Sequence, residues 1–135
     1  MSQTRKNTST AVRNRHIRKN NIAQLKAVRR QNMSLMKALA RNPSSLTKTI
    51  MANERMQRKQ IRAQNMSLIR TLKRSGMGTS DIKRRMKIQL NADKKQNKTL
   101  LHTVKARPSS WRNAVKRRMK AELRAVSAQN KAAMK

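Results

Sequence analysis

The dipeptide Gln-Asn recurs at 31–32, 64–65, 96–97 and 129–130, so successive copies are 33, 32 and 33 residues apart. The surrounding residues repeat as well: RRQNMSL (Arg29–Leu35), RAQNMSL (Arg62–Leu68), KKQNKTL (Lys94–Leu100) and SAQNKAA at 127–133. A period of this length is the mark of stacked helical units. The helix breakers keep the same step. Pro43, Gly76 and Pro108 are 33 and 32 apart, inside RNPSS, SGMGTS and RPSS. Pro and Gly stop a preceding helix. The hydroxyl pairs that follow, Ser44-Ser45, Thr79-Ser80 and Ser109-Ser110, are side chains of the type that caps a new helix by accepting an orphan backbone N–H.

Between the breaks the apolar spacing is helical. Leu25, Val28, Asn32, Leu35 and Leu39 step by three and four, as do Ile61, Asn65, Leu68 and Leu72. Asp93, Asn97, Leu100 and Val104, then Leu123, Val126, Asn130 and Ala133, continue the series. The expectation is an all-α chain of four long basic helices, about 10–41, 45–74, 80–106 and 110–134, preceded by a basic arm over 1–9. Each Asn then lies on the apolar stripe, where a buried amide can fix register between helices. A second segmentation uses Asn32, Asn65 and Asn97 as N-caps of shorter helices, two per repeat. The stripe is narrow, so the expected core is small and partly dependent on partner chains or a ligand.

Charge narrows the function. The 135 residues hold 36 Lys and Arg against 4 Asp and Glu, a formal net charge of +32. Such a chain repels itself until a polyanion relieves the repulsion. The charge equals that of roughly 16 base pairs of duplex backbone. There is one Trp and no Tyr or Phe, whereas single-strand and sequence-reading RNA modules stack bases on rings. Backbone binding to a duplex is the better match, and Trp111 reads as a packing anchor. No run approaches the length of a membrane span, so no membrane insertion is expected. An amphipathic membrane-active protein would show a wider apolar face.

Catalysis and metal binding find no support. There is no Cys, and His16 and His102 stand alone. Glu54, Asp81, Asp93 and Glu122 are scattered, whereas a metal-dependent nuclease clusters its carboxylates. No cofactor, no metal site and no enzyme activity is expected.

The cations do form motifs. KRRMK occurs at Lys83–Lys87 and at Lys116–Lys120, again 33 apart. With so few acids to pair them, Lys83, Arg84, Arg85, Lys87, Lys116, Arg117, Arg118 and Lys120 are the expected phosphate contacts, one turn into each helix. Arg29, Arg30, Lys73 and Arg74 join them. Ser44, Ser45, Thr79, Ser80, Ser109 and Ser110 sit where helix N-termini attract anions.

The segment LKRSGMGTSDIKRRM (Leu72–Met86), and less closely LARNPSSLTKTIMANERM and VKARPSSWRNAVKRRM, resemble the helix-turn-helix pattern of DNA-binding proteins. That resemblance covers 15 to 18 residues per unit and departs from the pattern in placing Pro in two turns. It is shared with ordinary helical hairpins. The stretch from Ala63 to Met86 resembles the C-terminal helical segment of a bacterial large-subunit ribosomal protein, without its aromatic residues. The expected function is a largely sequence-independent architectural protein that coats or condenses duplex DNA, with further copies of itself or other assembly proteins as partners. A virion interior, nucleoid or nucleus is the implied location. The alternative is an RNA-scaffold protein of the ribosome. An Arg- and Ser-rich, acid-free N-terminus also resembles a mitochondrial transit peptide.

Overall fold

A computed structural model describes the backbone of Ser2–Met134 and the side chains of Ser9–Met134. It contains four α-helices: α1 (Ser2–Arg41), α2 (Leu46–Arg74), α3 (Ser80–Ala106) and α4 (Trp111–Ala133). Short 3-10 turns at Pro43–Ser45 and Pro108–Ser110 lead into α2 and α4. There are no strands among the described residues. Each Gln-Asn lies inside one unbroken helix, so each repeat is one helix and not two. Residues 2–9, expected as an arm, continue α1.

The turns follow local chemistry. Asn42 and Arg107 have φ near −140°, the extended backbone forced on a residue before Pro. The hydroxyls do not cap α2 or α4: Ser44 Oγ donates to Asn42 Oδ1 and Ser110 Oγ donates to the Arg107 carbonyl. No side-chain cap bond forms at Thr79 either. The Pro-led 3-10 turns take over the role expected of those caps. Between α2 and α3, Gly76 has φ +71°. Its N–H bonds the Lys73 carbonyl and the Met77 N–H bonds the Leu72 carbonyl. This pair of bonds terminates α2 and needs a left-handed residue that only Gly adopts readily.

Each helix packs against its neighbours in sequence, and α1 also packs against α4. The cross-helix hydrogen bonds give the direction. Asn53 reaches the Gln31 carbonyl and Asn20 reaches the Gln64 carbonyl, so α1 and α2 run antiparallel. Arg85 meets Asn65 while Asn97 meets Gln57 across α2 and α3, and Arg13 meets Ala133 while Asn32 meets Glu122 across α1 and α4. The result is an up-down-up-down bundle. The three breaks are therefore turns of antiparallel hairpins.

The apolar core is small, as the narrow stripe implies, and it is split. One cluster (Leu35, Leu39, Ile50, Leu100, Val104, Trp111, Ala114, Val115) closes the end that carries both Pro-Ser-Ser turns. The other (Ile17, Leu68, Ile69, Leu72, Ile82) closes the end with the glycine turn, backed by Met77, Ala133 and Met134. All four helices contribute to each, so the chain encloses its own core. Leu72 is fully buried and Met56 is 60% exposed. Leu72→Ala should lower the unfolding free energy by about 2–5 kcal/mol. Met56→Ala should change it by no more than about 0.5 kcal/mol. Urea titration followed by circular dichroism measures both.

Candidate nucleic-acid interface

Between the two apolar ends the bundle is polar. Asn32, Asn65, Asn97 and Asn130 are all essentially fully buried. Each donates one amide hydrogen to the carbonyl four residues back in its own helix, Val28, Ile61, Asp93 and Val126 respectively. The side-chain oxygen is then aimed at the bundle axis. Two guanidiniums collect these oxygens. Arg85 gives Nε and Nη2 to Asn65 Oδ1 (2.9 and 2.7 Å), Nη1 to Asn130 Oδ1 and Nη2 to Asn20 Oδ1. Arg118 gives Nε and Nη2 to Asn32 Oδ1 (3.0 and 2.8 Å), Nη1 to Asn97 Oδ1 and Nη2 to Asn53 Oδ1. Each cluster takes one residue from every helix. The two are related by a pseudo-two-fold that exchanges α1 with α2 and α3 with α4.

The same exchange holds one layer further in. Gln24 donates to Gln89 Oε1, as does Asn65; Gln57 donates to Glu122 Oε2, and Asn32 to Glu122 Oε1. The symmetry breaks in charge. Position for position, Gln24, Gln57 and Gln89 correspond to Glu122, and Val28, Ile61 and Val126 correspond to Asp93. Burial, together with the charge and hydrogen bond of Glu122, pushes the Asp93 carboxyl up to about 7. Burial also raises Glu122, against the pull of Arg118, whose Nε lies 3.5 Å from its carboxylate. Arg118 is lowered by burial. Arg85, which has no carboxylate in its cluster, is pulled down to about 10 by burial and the charge of Arg13.

Arg85 and Arg118 are therefore corrections to the expected phosphate contacts: each is 3% exposed and committed to amide oxygens. In the repeat they take the place of Asn20 and Asn53, three residues after the buried Ile82 and Val115. That stripe spacing was the signal available in the sequence, and the runs of cations around them masked it. The amides of Asn20, Asn53, Gln24, Gln57 and Gln89 were not anticipated either.

The other expected cations face outward. Arg29 and Arg30 are exposed midway along α1. Lys73, Arg74, Lys83, Arg84 and Lys87 are exposed around the glycine turn, and Lys116, Arg117 and Lys120 near the opposite end. They do not form one patch. Ser80 and Ser109 are exposed and Ser110 is half-buried, while Thr79 is buried. Ser44 and Ser45 line a cleft of about 590 Å³ between the two Pro-Ser-Ser turns, together with Lys48 and Lys105. Among the described side chains every Lys and Arg is exposed except buried Arg85 and Arg118 and half-buried Arg13 and Arg58.

The four carboxylates are all engaged inside the chain. Glu54 pairs with Arg58 at 2.7 Å, Asp81 with Arg13, and Glu122 with Arg118, while Asp93 is buried against Glu122. The outer cations are left without internal counterions. Trp111 is buried, with the Arg112 guanidinium 4.8 Å from its ring centre. No group of metal-ligating side chains is present among the described residues, and no described helix is long and apolar enough to cross a membrane. Compared with protein-family models, with curated proteins and with solved structures, the chain matches none.

Two outcomes follow from the buried charges. Arg118→Ala leaves the Glu122 carboxylate buried beside the amides of Asn32 and Gln57 with no cation, and should cost about 3–5 kcal/mol. Adding Glu122→Gln, which copies the other three repeats, should recover part of that loss; urea unfolding of both variants tests it. The Asp93 carboxyl holds its proton in the folded state up to about pH 7 and in the unfolded chain only to about 4. The folded state thus binds more protons between these values, and stability falls as pH rises through that window. Asp93→Asn should flatten the melting temperature between pH 4.5 and 7.5.

Proposed function

We propose that the protein is an architectural nucleic-acid-binding protein that coats or condenses duplex DNA without strong sequence preference. The observation that carries this is the disposition of charge. Three of the four carboxylates pair with arginines of the same chain and the fourth is buried, while nearly all cations are displayed on the outside of the bundle. At 1.5 Å per residue α2 and α3 are on the order of 40 Å long, a span comparable to one turn of duplex. Cations at both ends and along the middle suit phosphates on successive turns, and phosphate contacts carry no sequence information. With its one aromatic ring buried, the bundle has no stacking platform for single strands.

Placement within a virion, nucleoid or nucleus, and packing with further copies, are parts of the same proposal. The self-repulsion of +32 charges also means that folding and polyanion binding reinforce one another. The phosphate-contact set becomes Arg29, Arg30, Lys73, Arg74, Lys83, Arg84, Lys87, Lys116, Arg117 and Lys120, without the two buried arginines.

Binding to random-sequence duplex DNA and to a structured RNA of equal charge, each across a salt series, tests the reading. A steep salt slope with equal or better DNA affinity is expected. Replacing Arg84, Lys87, Arg117 and Lys120 by Ala should leave the helical signal intact and shallow the slope by up to about 0.9 per lost contact. An unchanged slope removes these residues from the interface. RNA binding that survives high salt would point instead to an RNA scaffold.

A further inference from the structure

Two faces of the bundle are related by the repeat and yet differ in chemistry. A shift of two repeats, 65 residues, carries Asn32 to Asn97 and Asn65 to Asn130, hence α1 onto α3 and α2 onto α4. The face between α1 and α4 thereby maps onto the face between α3 and α2. On α1, Arg18, Ile22, Leu25, Arg29, Met33 and Met36 follow one another at steps of three and four, a single row along the helix. The row runs along the side of α1 that meets α4, where Asn130 donates to Asn21 and Asn32 donates to Glu122. On α4, Met119, Leu123 and Val126 lead to Asn130 at the same steps.

Four of these positions change character on the other face. Ile22 and Met33 correspond to Lys87 and Lys98, and Met119 and Leu123 correspond to Glu54 and Arg58, which pair with each other. Ile22 is 54% exposed and Met33 50%, while Leu25, Met36, Met119 and Leu123 are half-buried. The remaining strongly exposed apolar side chains lie elsewhere: Met51 beside the Pro-Ser-Ser turns, Met56 between α1 and α2, Ile88 between α3 and α4, and Met66 on α2. The fold thus has a solvated solution for this surface and uses it between α2 and α3. An apolar row left open between α1 and α4 marks an interaction surface.

The cations in the rows select the partner. Arg18 and Arg29 stand in the α1 row and Lys116 precedes Met119 in the α4 row, all exposed. No free carboxylate is left to meet them, because Glu54 and Asp81 hold arginines and Asp93 and Glu122 are buried. A second copy of the chain would set these cations against themselves. Duplex phosphates would satisfy the cations and leave Ile22 and Met33 without contact. An acidic amphipathic helix satisfies both: its apolar stripe lies along the groove between two helices, and its carboxylates meet the flanking cations. From Ile22 to Met36 the row spans about 21 Å, about four turns of such a helix.

We propose that the face between α1 and α4 docks an acidic amphipathic helix of a partner protein, with Ile22, Met33, Met119 and Leu123 as the apolar seat and Arg29 as the charge anchor. The opposite face, with Lys87 and Lys98 in place of Ile22 and Met33, stays open to a polyanion. The bundle then joins a protein on one side to a nucleic acid on the other. The docking surface stands whether or not that nucleic acid is duplex DNA.

The test is binding of the full chain to a peptide of about 18 residues made of Leu and Glu, with Leu on one helical face. The control peptide has the same composition with Leu spread around the helix. Fluorescence anisotropy at physiological salt reads both. The chain should prefer the amphipathic peptide by about tenfold or more, the value of burying one such side chain. Ile22→Lys combined with Met33→Lys copies the α3 residues at exposed positions, where little stability is lost. The added positive charge by itself would tighten binding of both peptides, whereas the docking surface requires the preference to collapse. Leu123→Arg, copying Arg58, is a second variant with the same expected loss. Duplex DNA affinity should hold or rise in the double Lys variant, which separates this result from the polyanion reading. Equal binding of the two peptides by the unaltered chain, or a preference that both variants retain, overturns the proposal. Light scattering that shows dimers of the unaltered chain and monomers of the double Lys variant gives the face to a second copy and overturns it as well. Loss of binding to anionic lipid vesicles in that variant, with no peptide preference to lose, gives the face to a membrane and has the same consequence.

Discussion

The bundle is organised by two guanidiniums that have been taken out of water. Burying a charge is costly unless it is paired and fully hydrogen-bonded. Arg85 and Arg118 both meet the hydrogen-bonding half of that condition with amide oxygens drawn from all four helices, and Arg118 alone adds a carboxylate. A guanidinium presents its donors in a fixed planar fork, so the helices must stop at one rotation and one height to place three Asn oxygens around it. Apolar side chains alone would tolerate sliding. The recurrence of Gln-Asn is thus a statement about register, and the apolar clusters at the two ends add the affinity that the polar middle does not supply.

The polar middle also explains where the acids went. Only Glu122 lies directly against a buried arginine, and only Arg118 has such a partner. Arg85 is stabilised by neutral dipoles, which is why burial and Arg13 lower its proton affinity. Asp93 and Glu122 together exceed the one cation beside them, and burial raises both. With Glu54 and Asp81 also occupied on Arg58 and Arg13, the outer surface keeps its full excess of positive charge. Interior and exterior are coupled in this sense: two acids are buried, the other two are tied to arginines of the same chain, and the outer cations are available to a polyanion.

Much of this was legible in the sequence. The breaks at Pro43, Gly76 and Pro108 set the helix limits to within a residue or two, except at the start of α1. The stripe through Asn32, Asn65, Asn97 and Asn130 ran unbroken, as its spacing implied. What misled was the assumption that a charge run faces water. KRRMK places its second Arg on the stripe, twelve residues before Asn97 and Asn130, but only the tertiary context reveals that amides wait there. The hydroxyl pairs were misassigned for a related reason. A Pro-led 3-10 turn ties up the backbone groups that a Ser cap would otherwise satisfy, and this competition is decided by the turn and not by the Ser.

The pseudo-two-fold carries one further consequence. The hairpin of α1 and α2 contributes Asn20, Asn32, Asn53 and Asn65 to the clusters, and no guanidinium. The hairpin of α3 and α4 contributes both guanidiniums with Asn97 and Asn130. Two copies of the first hairpin would leave the Asn oxygens without a guanidinium, and two copies of the second would crowd four buried guanidiniums together. Although the halves are built on one repeating pattern, each recognises only the other. The duplication has become a complementary pair, and that asymmetry opposes the pairing of like hairpins in so repetitive a chain.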